Sequence, residues 1–221
     1  MEDRAQIKKY EILRGDPLKF KNPTKGGRFE TLYRIISMKD FQTKTGYNVK
    51  SGEIGGYISG EQNLSQSDSS WVFNTAKVFG DALLIDSSVH DYALVFGNSI
   101  ISDSQVRDRC RIWESPTIKE SRISGNVDIS GRPDIEGCSL HNSSIIFGSP
   151  KLYGVKMYDG SRITGSPAVK RTVLRDVSEI TGGSQVTNCQ LSGRSFVKDV
   201  RIQNETIDSV IELDIKTKLN G

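Results

Sequence analysis

The chain is poor in the residues on which many enzyme sites are built. It has two histidines, three cysteines and two tryptophans among 221 residues. Two histidines are too few for a three-histidine metal centre on one chain. No phosphate-binding glycine loop, nucleophile elbow or paired-carboxylate motif stands out. Nor does a zinc-finger or helix-turn-helix pattern. No apolar run reaches 18 residues, so no segment reads as a membrane span. No apolar stretch follows Met1, so no secretory signal is read. The expectation is a cytoplasmic protein with free thiols, no cofactor and no bound metal.

Net charge is small, at +3, but unevenly spread. Residues 1–50 hold 12 Lys and Arg against 6 Asp and Glu, so the remainder is net negative. A basic N-terminal segment is a candidate contact for nucleic acid or an acidic partner. With no nucleic-acid motif behind it, the plainer reading is a solvated surface.

What the chain does have is a ladder of aliphatic residues with a 17-residue period. One column is Val78, Val95, Ile112, Ile129, Ile146, Ile163, Ile180 and Val197. A second is Leu84, Ile101, Ile118, Ile135, Leu152, Val169 and Val186. The third is Val89, Val106, Ile123, Leu140, Met157, Leu174 and Leu191. All 22 positions are Ile, Val, Leu or Met, types that make up only 53 of the 221 residues. So short a repeat cannot bury its own apolar face, so repeats must stack. Three inward residues per period imply three sides per coil. The predicted fold is all-β: a triangular parallel β-helix with coils roughly 4.8 Å apart.

Other columns agree. Pro116, Pro133, Pro150 and Pro167 recur at the same spacing and belong at a corner, because proline cannot donate to a ladder. Gly80, Gly97, Gly131, Gly148, Gly165 and Gly182 form a turn column interrupted by Glu114. Asp91, Asp108, Asn142, Asp159 and Asp176 form another. Acidic columns also occur in calcium-binding repeats, but the glycine-rich nonapeptide is absent. These residues therefore read as bonding their own turns. Cys138 and Cys189 share a column but lie three coils apart, roughly 14 Å, too far for a disulfide. The same distance separates His90 from His141, so they cannot share an ion. Both histidines read as ordinary surface residues.

Three regions follow: a cap module over residues 1–60, the β-helix over 61–201, and a C-terminal strand, cap or exchange arm over 202–221. Leu32, Tyr33, Ile35, Ile36 and Phe41 are the expected cap core. After Val197 the next aliphatic is Ile202, a step of five where six was due, which reads as the end of the register. Ile207, Ile211, Leu213 and Ile215 then alternate as a terminal strand.

Side chains flanking each inward aliphatic point outward. On the first face these include Phe79, Leu94, Phe96, Trp113, Ile145 and Phe147; on the second, Leu83, Ile85 and Ile100. A stripe of this kind is seldom left in water. Phe79, Leu83, Leu94, Phe96, Ile100, Trp113 and Phe147 are the candidate interface. The alternative is that the cap or the C-terminal strand folds over them. The third face is polar and partly basic, with His90, Arg107, His141, Tyr158 and Arg175.

The repeat unit, as in Val95-Phe-Gly-Asn-Ser-Ile100, resembles the hexapeptide repeat of left-handed β-helices. The N-terminal part is similar to a group of uncharacterised phage, prophage and bacterial proteins. Their "LYRI" strand matches Leu32–Ile35, and their "GxxGGYI" and "NLS" junction matches Gly52–Ile58 and Glu61–Ser65. Their "WV" first coil matches Trp71–Val72. The likeness covers roughly residues 8–100. Downstream the group usually keeps six-residue repeats, whereas this chain keeps a five-residue side. The resemblance implies a left-handed helix and a bacterial-host cytoplasm, and brings no catalytic residue. Acyltransferases on hexapeptide helices usually set a histidine beside a loop extruded from the coils, and here no insertion interrupts Val78 to Val197. The favoured expectation is therefore a non-catalytic scaffold that forms a dimer or trimer and binds a protein partner, such as a host defence factor. The alternative is a hexapeptide-type acyltransferase with its site at a subunit boundary.

Overall fold

A computed structural model of the protein describes residues 8–24 and 26–208, and the backbone of 212–213. It is a β-solenoid. Strands of two to four residues recur around each coil and pair in parallel with the equivalent strands above and below. All 22 inward aliphatics are buried, none more than 3% exposed. At about 1.5–3 kcal/mol per fully buried aliphatic, this column is the main stabilising term.

The corners explain how so short a coil turns. Every corner from Asn74 to Asn204 holds one residue with positive φ. Gly, Asn and Asp fill nearly all these positions, with Glu114, Glu120 and Arg171 the exceptions. The proline column sits just before the second-face strands, and Pro133, for example, accepts a bond from the Thr117 amide at 2.9 Å. The acidic column works differently from expectation. Its side chains reach across coils: Asp108 Oδ2 accepts the Gly125 amide at 2.8 Å, and Asp176 Oδ2 accepts that of Gly193 at 2.8 Å.

A second ladder runs up the opposite corner, inside the wall. Ser87, Ser104 and Ser121 each donate to the carbonyl two residues back and accept the amide one coil on. Cys138 continues the series with its sulfur, accepting the Val155 amide at 3.4 Å. A small donor–acceptor side chain is required there because an orphaned buried amide costs about 1–3 kcal/mol. The three cysteines are free and buried. Burial pushes the Cys110 thiol up to about 12 and the Cys138 thiol up to about 11, which leaves them unreactive.

The N-terminal module is continuous with the solenoid. Strands β1 (Tyr10–Lys21) and β2 (Phe29–Ser37) form an antiparallel hairpin. Strand β5 (Ile54–Ile58) pairs antiparallel with β2 and parallel with the Lys77–Val78 strand. Strands β3 (Phe41–Gln42) and β4 (Asn48–Val49) make a second, smaller hairpin. The stack thus begins before residue 60, with Ile58, Leu64 and Val72 in the inward columns and buried. Gly55 and Gly56 permit this junction: a Cβ on Gly55 would lie 2.7 Å from the Val72 carbonyl, and one on Gly56 2.6 Å from that of Ala76.

The loop between Leu64 and Trp71 tethers the top of the stack. Gln66 accepts the Lys9 amide at 2.9 Å and donates to the Tyr10 carbonyl at 3.0 Å. Lys9 is 1% exposed; its ammonium donates to Asp68 Oδ1 and to the Asp68 and Ser70 carbonyls at 3.0–3.1 Å. Tyr10 and Phe41 close edge-on around the buried Trp71, at 6.4 and 5.6 Å.

The C-terminal boundary also moves. Ile202 pairs with Val186, and Ile207 with Leu191, so the coils continue past residue 201. The missing residue is absorbed at one corner. Asp199-Val200 turns there in two residues where the previous coil uses Gly182, Gly183 and Ser184. Glu212 and Leu213 pair with Phe196 and Val197. Ile211 and Ile215 lie outside the described residues.

Candidate functional site

The apolar stripe on the first face is partly claimed by the chain itself. Phe79 is fully buried and Phe96 is 3% exposed. The β1–β2 hairpin has strands of 12 and nine residues, against two to four per coil side, so its tip overhangs the first corner. There Leu32, Leu18 and Phe20 pack on the two rings, Phe20 edge-on to Phe79 at 5.6 Å. Lys77 completes this contact, its ammonium 5.2 Å from the Phe20 ring and 5.4 Å from that of Tyr57. Phe79 and Phe96 are therefore corrected from interface to intramolecular contact. Of the expected cap core, Leu32 faces these rings, Ile35 joins the solenoid core, and Tyr33, Ile36 and Phe41 are half-buried.

The rest of the stripe remains accessible. Phe79, Phe96 and Trp113 stack in sequence, at 4.9 and 6.3 Å, and Trp113 and Leu94 at the hairpin margin are half-buried. Below them Phe147 is 56% exposed. Across the same corner Leu83 is half-buried, and Ile100 and Ile85 are 42% and 39% exposed. A groove of about 680 Å³ runs along this corner, lined by Gly97, Gly131, Gly148 and Phe147 together with the charged Asp81, Glu114 and Arg132.

The smaller hairpin covers the start of the third face. Tyr47 packs against Phe73 and His90, at 5.5 and 4.5 Å, and Phe73 stacks on His90 at 4.2 Å. Thr45 meets Ser88 at 2.8 Å, the Gln105 amide donates to the Tyr47 hydroxyl at 2.9 Å, and Lys44 pairs with Asp103. His90 is consequently 5% exposed, not a surface residue. Burial, with Arg107 close by, draws its pKa down to about 4, so it is neutral near pH 7. Beyond the hairpin the face is open. His141 stacks on Tyr158 at 5.3 Å, and the Arg175 guanidinium lies 4.6 Å from the Tyr158 ring.

Among the described residues, no cluster of His, Cys, Asp or Glu has the arrangement to hold a metal ion. No described helix is long and apolar enough to cross a membrane. Comparison with known proteins adds no family: no family model matches the sequence, and no curated protein matches it.

Proposed function

We propose that the protein is a non-catalytic β-helical scaffold that self-associates and, as an assembly, carries a macromolecular partner. One observation supports this reading most. After the chain has folded two hairpins over its own faces, it still leaves Ile100 and Phe147 in water, Phe147 lining a groove with Gly97, Gly131 and Gly148. The β1–β2 hairpin covers the neighbouring Phe79 and Phe96 and stops short of Ile100 and Phe147. Large apolar and aromatic side chains beside a concave surface are the anchors around which interface energy concentrates. A second copy, meeting the same surface in itself across a symmetry axis, buries both patches at once.

Light scattering on the eluting protein tests this. The wild type is expected to run as a dimer or trimer, and Ile100→Glu/Phe147→Glu as a folded monomer with an unchanged melting temperature. A monomeric wild type, or an oligomer that survives both substitutions, contradicts self-association through this corner.

A further inference from the structure

Below the β3–β4 hairpin the third face carries cations that form no ion pair among the described residues. Arg107, Ser124 and His141 follow one another down one outward column, one per coil, and Arg122 lies in the other column, two residues before Ser124. The four line a single cleft of about 400 Å³. Arg107 and Arg122 are exposed, and neither forms an ion pair among the described residues. Of the neighbouring acidic groups, Asp103 pairs with Lys44, and Asp108, a single carboxylate in the cleft wall, keeps its charge but is held by the Gly125 amide, which donates to Oδ2 at 2.8 Å. Gln105, at the upper rim, already donates to Tyr47 at 2.9 Å.

The imidazole is held in place. His141 Nδ1 lies 2.9 Å from Ser124 Oγ, and the ring is stacked on Tyr158 at 5.3 Å. Among the described residues Nε2 makes no hydrogen bond. A fixed ring with one open nitrogen, one coil below Arg122 and two below Arg107, adds to two guanidinium forks and gives more donors than a carboxylate's two oxygens can accept. A phosphate group offers three oxygens and pairs with guanidinium in bidentate fashion. We infer that this cleft binds a phosphate group, bracketed by Arg107 and Arg122 and capped by His141 Nε2–H. This reading does not depend on the self-association proposed above, because it concerns a different face.

Two histidines make the test simple. The ring Cε1–H signals are followed by NMR as inorganic phosphate replaces chloride at constant ionic strength. The His141 signal is expected to shift with saturation, while the buried His90 signal stays still. Arg107→Gln/Arg122→Gln should weaken binding by about tenfold or more, since both charge-assisted pairs are lost, with the melting temperature unchanged. If the double variant melts early, Arg122→Lys supplies the same reading, because it keeps charge and loses the fork. Adenosine monophosphate and a single-stranded oligonucleotide distinguish the phosphate's source. Binding of the monophosphate at the strength of inorganic phosphate points to a small ester. A far tighter oligonucleotide complex that weakens steeply with salt points to a phosphodiester strand. A His141 signal that never saturates, or saturates equally in the arginine variants, overturns the site.

Discussion

One residue inserted between Ile129 and Ser130 is expected to lower the melting temperature by more than about 10 °C, whereas Ile129→Val lowers it by a few degrees. The strands at this level pair Ser130 with Phe147 and Gly131 with Gly148. Gly131 lies so close to the next coil that a Cβ there would overlap the Gly148 carbonyl oxygen. An insertion pushes Ser130 into that place. The corner must then bulge outward and break the bonds from Arg132 to Gly148 and from Ser115 to Gly131, now 2.7 and 2.9 Å. Each bond lost costs about 0.5–1.5 kcal/mol, and residues after the insertion shift by one place against the core. Losing one methyl from Ile129 costs about 0.5–1.5 kcal/mol. Differential scanning calorimetry on the two variants decides it, and equal melting temperatures would contradict the ladder as described.

Phe96→Glu is the second large effect. The ring lies between Phe79 and Trp113 under the hairpin. Losing a buried Phe costs about 3–5 kcal/mol before the desolvation of the carboxylate is counted. The coils beneath keep their own core, so the hairpin tip should detach first. Trypsin is expected to cut at Lys19, Lys21 or Arg28 many times faster than in wild type, while the β-sheet circular dichroism persists. Phe147→Glu, at a position 56% exposed, should change neither. Wild-type trypsin resistance in Phe96→Glu would show that the hairpin does not depend on this contact.

The insertion and Phe96→Glu probe features that differ in how plainly the sequence shows them. The inward columns were legible because the constraint is local and periodic: one aliphatic per side, repeated at 17 residues, so that each column identifies itself. The outward columns obey the same period, but whether they meet water depends on the N-terminal hairpins, whose sequences lack the 17-residue period. Leu18 and Phe20 alternate in β1 as any half-buried strand would, and nothing in that pattern says that Phe79 is their partner. His90 was misplaced for the same reason, since only the folded β3–β4 hairpin brings Tyr47 onto it. The step from Val197 to Ile202 reads as an ending only if every corner has the same length. Asp199, at a φ of 52°, turns the chain with one residue fewer. The serine and cysteine ladder had a readable signal in Ser70, Ser87, Ser104, Ser121 and Cys138, all 17 apart. Small polar residues at a corner do not reveal unaided that they bond across coils.

The most direct test of the stacked 17-residue coil is to excise one. Deleting Ile129–Ile145 joins Asp128 to Ile146, which already occupies the equivalent position one coil on. The measurement is the melting transition of this variant beside excisions of 16 and 18 residues from the same start. The 17-residue excision is expected to melt cooperatively within a few degrees of wild type, and the other two to lose tens of degrees or fail to fold. Three variants that melt alike would contradict the coil.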